Sequence, residues 1–131
     1  MKALDTNILV RFLVQDDDKQ CASVNRLLEA AEQESEVLFI PLLVVLELIW
    51  VLQSVYPVER REILKAIDSL LQLPGLKFEK QPVLRDFIRQ AEQSNGGLAD
   101  LLIGETSLAS GCEAVLTFDK GTAKNQMFQT L

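Results

Sequence analysis

Short apolar runs alternate along this chain with longer stretches of helical periodicity, and that alternation restricts the fold more than any other feature of the sequence. The first run, Lys2–Leu4, is of the buried rather than the alternating type, which suits a parallel sheet covered on both faces. Val37–Ile40, Leu76–Phe78 and Ala114–Thr117 read as further strands, and Met127–Leu131 as a last strand at the sheet's edge. Between them, Ile8–Val14 continues as helix, and a second helix runs from the Asp16-Asp17-Asp18 cluster to about Gln33. Its apolar residues Cys21, Val24, Leu27, Leu28 and Ala31 keep a helical spacing. Pro41 opens a helix that runs to about Val55, since a proline costs nothing in a first turn, and Pro57 breaks the chain after it. Glu59–Leu71 places Ile63, Leu64, Ile67, Leu70 and Leu71 on one helical face. Val83–Gln93 and Leu98–Ser110 complete the helices, the last ending at Gly111. Strands alternating with helices predict an α/β fold, a mostly parallel sheet between helical layers. With 131 residues the expectation is a single domain spanning 1–131.

Composition narrows the function. Lys and Arg number 13 against 19 Asp and Glu, a net charge of -6. That balance excludes a protein whose affinity comes from whole-surface attraction to nucleic acid. It allows a nuclease, because bound cations reverse the local field of an acidic site. The chain has no histidine, which removes Ser/His and Cys/His catalysis and the commonest zinc ligand. Cys21 and Cys112 are too few and too separated for a CxxC metal site and read as reduced thiols, although sequence leaves their pairing open. Val37–Leu52 is very apolar, but Pro41 and Glu47 interrupt it and it falls short of the about 20 residues of a spanning helix, so it reads as core. The charged start runs straight into Asp5, so no leader and no membrane association are expected, and the location expected is cytoplasmic.

Four acids then stand out. Asp5 and Asp119 each follow an apolar strand, where ligands bind in open α/β sheets, at the carboxyl ends of the strands. Glu47 is the one charge between Leu42 and Leu52; a helix apolar all round is buried, so Glu47 is expected to point into the protein or a cleft. Asp100 lies near a helix start, behind Gly96-Gly97. Each has an ordinary alternative: turn chemistry for Asp5 and Asp119, an internal salt bridge for Glu47, and a favourable helix dipole for Asp100. Taken together, carboxylates without His or Cys suit Mg²⁺ or Mn²⁺. Such ions lower the pKa of a bound water and can clamp an in-line phosphodiester displacement.

The order and frame of these residues resemble the PIN-domain ribonuclease family. The resemblance rests on Leu4-Asp5-Thr6-Asn7, on Glu47 after Ile40-Pro41-Leu-Leu-Val-Val-Leu46, on Leu98-Ala99-Asp100-Leu101-Leu102-Ile103 and on Leu116-Thr117-Phe118-Asp119-Lys120. It covers essentially the whole chain, and the stretch from Asp5 to Asp17 is most similar to VapC-type toxins of bacterial toxin–antitoxin pairs. The resemblance implies a three-layer α/β/α sandwich around a short parallel sheet. It implies that Asp5, Glu47, Asp100 and Asp119 hold Mg²⁺ or Mn²⁺, and that a water activated there cleaves single-stranded or looped RNA. It assigns supporting roles to Thr6, Asn7 and Thr117, the last ordering Asp119. It also implies a homodimer and a cognate antitoxin that blocks the pocket.

Arg11, Lys80, Lys120 and Lys124 are candidates for RNA phosphate contacts, against an ordinary role as solvated charges. Asp16-Asp17-Asp18 reads as a helix N-terminal cluster rather than a second metal site. A phosphoryl-transfer α/β domain fits less well. A receiver domain needs an Asp on its third strand, which Leu76–Phe78 lacks, and a haloacid-dehalogenase-type phosphatase needs an Asp where Asn7 stands. A non-catalytic PIN-fold interaction module would have been marked by loss of one of the acids, and all four are present.

Overall fold

The structure, a computed structural model, describes all 131 residues, and these cluster into two compact units, Met1–Gln81 and Pro82–Leu131. The first begins with strand β1 (Lys2–Ala3) and helices α1 (Thr6–Val14) and α2 (Asp18–Gln33). Strand β2 (Leu38–Ile40), helices α3 (Leu42–Ser54) and α4 (Arg60–Leu71), and strand β3 (Leu76–Phe78) follow. The strands form one parallel sheet in the order β1-β2-β3, with Lys2 opposite Leu38 and Leu38 opposite Leu76. The central strand has no wet face at its ends: Leu38 and Ile40 are buried.

Local rules account for the helix boundaries. Asp17 caps α2, its side chain accepting from the Gln20 N–H at 3.0 Å, so the acidic cluster is the helix start that its position predicted. Gln15 closes α1 in the left-handed region at φ 57°, its N–H donating to the Arg11 carbonyl. On α4 the five expected residues, Ile63, Leu64, Ile67, Leu70 and Leu71, are all buried. Each buried Leu or Ile stabilises the fold by roughly 2 kcal/mol.

Helix α3 departs from expectation. Val45, Leu48, Ile49 and Leu52 form its buried stripe, at the spacing of one helical face. The opposite positions Leu43, Glu47, Trp50 and Ser54 are exposed, Leu43 at 77% and Trp50 at 60%. The helix is therefore not buried all round, and Glu47 is a solvent-accessible carboxylate rather than an interior one. One stripe suffices to seat α3 against α1 and α4, and the surplus apolar residues fall outside it.

The second unit carries helices α5 (Gln81–Gln93, continuing from the first unit's last residue) and α6 (Leu98–Ala109). Strands β4 (Val115–Thr117) and β5 (Phe128–Thr130) complete it, with a 3-10 turn at Thr122–Lys124 between them. Strand β5 pairs parallel with β4, Val115 opposite Phe128. Every strand pair is parallel, and the architecture is the α/β one that the alternation of strands and helices predicted. Strands of two or three residues expose few N–H and C=O groups, and each ladder satisfies them with its own neighbours. Val83, Leu84, Phe87, Ile88 and Ala91 of α5 are buried, with Leu98, Leu101 and Leu102 of α6. Cys21 and Cys112 are both free thiols. No helix is long and apolar enough to cross a membrane.

Candidate functional site

Strand β1 ends where the Leu4 N–H donates to the Phe39 carbonyl at 2.9 Å, and Asp5 is the next residue. Asp5 is the N-cap of α1: its backbone is extended, and its carboxylate accepts from the Thr6 N–H at 2.8 Å. A carboxylate here sits in the positive end of the helix dipole. Thr6, the only buried polar residue in the chain, donates its hydroxyl to Oε1 of Glu47 on α3. One turn thus fixes two of the four acids, Asp5 through a backbone N–H and Glu47 through a buried hydroxyl. Asn7 is exposed in the first turn of α1 and lines a cleft with Arg11 and Gln20.

Sequence reasoning passed over a further acid. Glu79 directly follows β3, its N–H bonded to the Ile40 carbonyl at 2.9 Å. Its carboxylate accepts from the Leu42 N–H at 2.8 Å and so caps α3, which Pro41 cannot do. The signal was available: Glu79 stands one residue past its strand, as Asp119 stands two past its own.

In the second unit, Asp119 sits in a tight turn after β4. Its Oδ1 accepts from the Gly121 N–H at 2.8 Å and the Thr122 N–H at 3.1 Å, while its own N–H donates to Thr117 Oγ1 at 3.1 Å. Thr117 thus accepts from the backbone of Asp119, the residue beside which the resemblance sets it. Thr122 donates from Oγ1 toward Asp100 Oδ2 at 3.4 Å, tying the turn to the first turn of α6. Gly97, just before α6, leaves room for that carboxylate: a Cβ there would stand 3.2 Å from Asp100 Oδ2. Asp100 and Asp119 line one cleft of about 540 Å³, together with Gly96, Gly97, Thr122 and Lys124. Of the four acids, Asp5 and Glu47 belong to the first unit and Asp100 and Asp119 to the second. Neither unit alone gathers three His, Cys, Asp or Glu side chains into a metal-holding group.

The cations divide. Arg11 is not a free phosphate contact: its Nη1 pairs with Asp16 Oδ1 at 2.6 Å and reaches Tyr56 Oη at 3.2 Å, and its Nε donates to Gln20 Oε1. The Tyr56 hydrogen bond and the Asp16 charge raise its pKa above the usual arginine value. Lys80 is exposed, at φ 54°. Lys120 and Lys124 are exposed, and Lys124 lines the cleft of Asp100 and Asp119.

The PIN domain family model matches residues 2–126. The chain belongs to the PIN domain family. It is also 28% identical over 120 residues to the VapC ribonuclease of Aquifex aeolicus (strain VF5), covering 92% of this chain and 88% of that relative. This PIN domain keeps an acid at the carboxyl end of β1 and another past the end of β4, each held by hydrogen bonds from the turn that follows.

Proposed function

We propose that this PIN domain is a Mg²⁺- or Mn²⁺-dependent endoribonuclease, a single catalytic domain over 1–131. The observation that carries the reading is the cleft in which Asp100 and Asp119 open beside each other and Lys124, each acid held by turn donors. The likeness to a relative named VapC ribonuclease supports RNA as the substrate.

The donor chemistry fits a hard divalent ion. Asp5, Glu47, Asp100 and Asp119 offer only oxygen, and the chain has no histidine to favour zinc. These four acids would hold the ion, with Thr6, Asn7 and Thr117 in support. When bound, the ion supplies a water of lowered pKa and neutralises phosphate charge. The protein's part is positioning. Thr6 orients Glu47, the Thr6 N–H orients Asp5, and Thr117 with the Gly121 and Thr122 N–H groups fixes Asp119. Lys124 supplies a positive charge for a phosphate entering the cleft.

In the cell we assign it the role of the toxin of a toxin–antitoxin pair, acting as a homodimer in the cytoplasm and restrained by a cognate antitoxin. The test is cleavage of a mixed set of structured RNAs with Mn²⁺ or with EDTA, comparing wild type with Asp5→Asn and Asp100→Asn. Cleavage that needs Mn²⁺ and disappears in both variants is the expected result. Unchanged cleavage in both variants would overturn the site, and absence of cleavage by every protein would favour a non-catalytic interaction module.

A further inference from the structure

Thr122 hydrogen-bonds both acids of the second unit. Its N–H donates to Asp119 Oδ1 at 3.1 Å, and its hydroxyl donates to Asp100 Oδ2 at 3.4 Å. The acids come from different elements, Asp100 from the first turn of α6 and Asp119 from the turn after β4. One half-buried residue therefore joins them, and all three line the same cleft.

The two bonds use separate parts of the residue. The N–H bond belongs to the backbone and survives a change of side chain. The hydroxyl bond depends on the side chain alone. Thr122 opens the 3-10 turn, in which the Ala123 N–H donates to the Asp119 carbonyl at 3.0 Å and the Lys124 N–H to the Gly121 carbonyl at 3.2 Å. These bonds hold the backbone on both sides of Thr122, and a β-branched side chain is stiff about χ1. The hydroxyl thus reaches Asp100 from a rigid support.

Glycines stand close to the same oxygens. A Cβ at Gly97 would lie 3.2 Å from Asp100 Oδ2, and one at Gly121 3.2 Å from Asp119 Oδ1. Asp119 Oδ1 also accepts from the Gly121 N–H at 2.8 Å. Each acid therefore has one oxygen committed to the protein. The other oxygens, Asp100 Oδ1 and Asp119 Oδ2, take no hydrogen bond from it. The 3.4 Å hydroxyl bond is long against the usual value of about 2.7–2.8 Å, so it biases the Asp100 carboxylate without clamping it.

We propose that Thr122 is a positioning residue for the divalent ion: its hydroxyl sets the Asp100 carboxylate relative to Asp119, so that the uncommitted oxygens of both acids serve one cation. The ion rests on the nuclease reading. The hold of the hydroxyl on Asp100 is a property of the metal-free chain.

The test compares the full-length wild type with Thr122→Val, which keeps the shape and the N–H but loses the hydroxyl, and with Thr122→Ser, which keeps the hydroxyl. Urea unfolding establishes that each variant is folded. In metal-free protein, NMR of the side-chain carboxyl carbons should show Asp100 moving more than Asp119 in Thr122→Val, and both nearly unmoved in Thr122→Ser. Mn²⁺ affinity in calorimetry should fall about tenfold in Thr122→Val, the low end for a residue that orients a metal ligand, and recover in Thr122→Ser. An unmoved Asp100 resonance in Thr122→Val would overturn the proposal. So would Mn²⁺ affinity that is unchanged in Thr122→Val, that falls equally in both variants, or that is undetectable in the wild type. RNA cleavage with Mn²⁺ is scored separately. The expected binding pattern without cleavage by any of the proteins would support Thr122 and sink the ribonuclease reading. Equal cleavage and equal Mn²⁺ affinity in all three would sink Thr122 and leave that reading standing.

Discussion

Thr6 donates its hydroxyl proton to Glu47, a residue 41 positions further along the chain. The donor is 2% exposed and the acceptor is accessible to solvent, so the bond spans the boundary between core and surface. It ties the first turn of α1 to the middle of α3 and decides where the Glu47 carboxylate points. Thr6→Val keeps the shape and removes the donor. Because Glu47 can regain water, the cost should sit at the low end for a bond to a charged group, about 1.5 kcal/mol in urea unfolding. Thr6→Ser should keep the hydroxyl and lose more stability than activity. A Thr6→Val protein with unaltered stability and cleavage would show that the bond positions nothing.

Asp5 has two roles that different substitutions separate. Asparagine is as good an N-cap as aspartate, so Asp5→Asn should unfold within about 0.5 kcal/mol of wild type. Asp5→Ala removes the acceptor for the Thr6 N–H and should cost about 1 kcal/mol. Both should lose cleavage equally. Activity that instead tracked stability across the pair would make Asp5 a cap and nothing more.

Asp17 gives the contrasting case. Its side chain accepts from the Gln20 N–H and starts α2. Asp17→Ala should lower stability by about 1 kcal/mol and leave Mn²⁺ affinity unchanged in calorimetry. A fall in affinity would reopen the acidic run Asp16-Asp17-Asp18 as a metal site.

Glu105 of α6 is a carboxylate whose pKa is raised, first by burial and then by the charge of Asp86, with Arg89 acting in the opposite sense. The folded protein therefore holds this proton at pH values where the unfolded chain has released it. Between the ordinary glutamate value and the raised one, stability falls as pH rises, and above the raised value the whole penalty is present. Glu105→Gln should raise the melting temperature at pH 7 and have less effect at pH 4. An equal gain at both values would mean that ionisation is not the cause.

Gly104 is buried in α6 against Met127. An added Cβ would stand 2.8 Å from Met127 Cε and 2.9 Å from its Sδ, tip atoms that can rotate away, and 3.2 Å from its Cβ. Gly104→Ala should come out near neutral, since relief of the glycine helix penalty of about 1 kcal/mol offsets the crowding. Gly104→Val cannot be accommodated by the tip alone and should cost about 2–3 kcal/mol, part of it recovered by Met127→Ala. Full tolerance of valine in urea unfolding would show that this contact is looser than the distances imply.

What the sequence determined by itself was local. The strand-helix alternation, the capping role of Asp17, the buried stripe of α4 and the placement of Asp5 and Asp119 just past strands all follow from periodicity and punctuation within about a dozen residues. The tertiary structure decided what depends on which surfaces meet. An apolar α3 sequence could not say which stripe would be buried, and so left open whether Glu47 faced the interior or a cleft; the structure leaves it accessible to solvent. The Thr6–Glu47 and Thr122–Asp100 contacts, the Glu79 cap on α3 and the capture of Arg11 by Asp16 and Tyr56 join residues that no local pattern pairs. The order in which the strands pair was likewise left to the tertiary structure, because their hydrogen bonds form between neighbours in space.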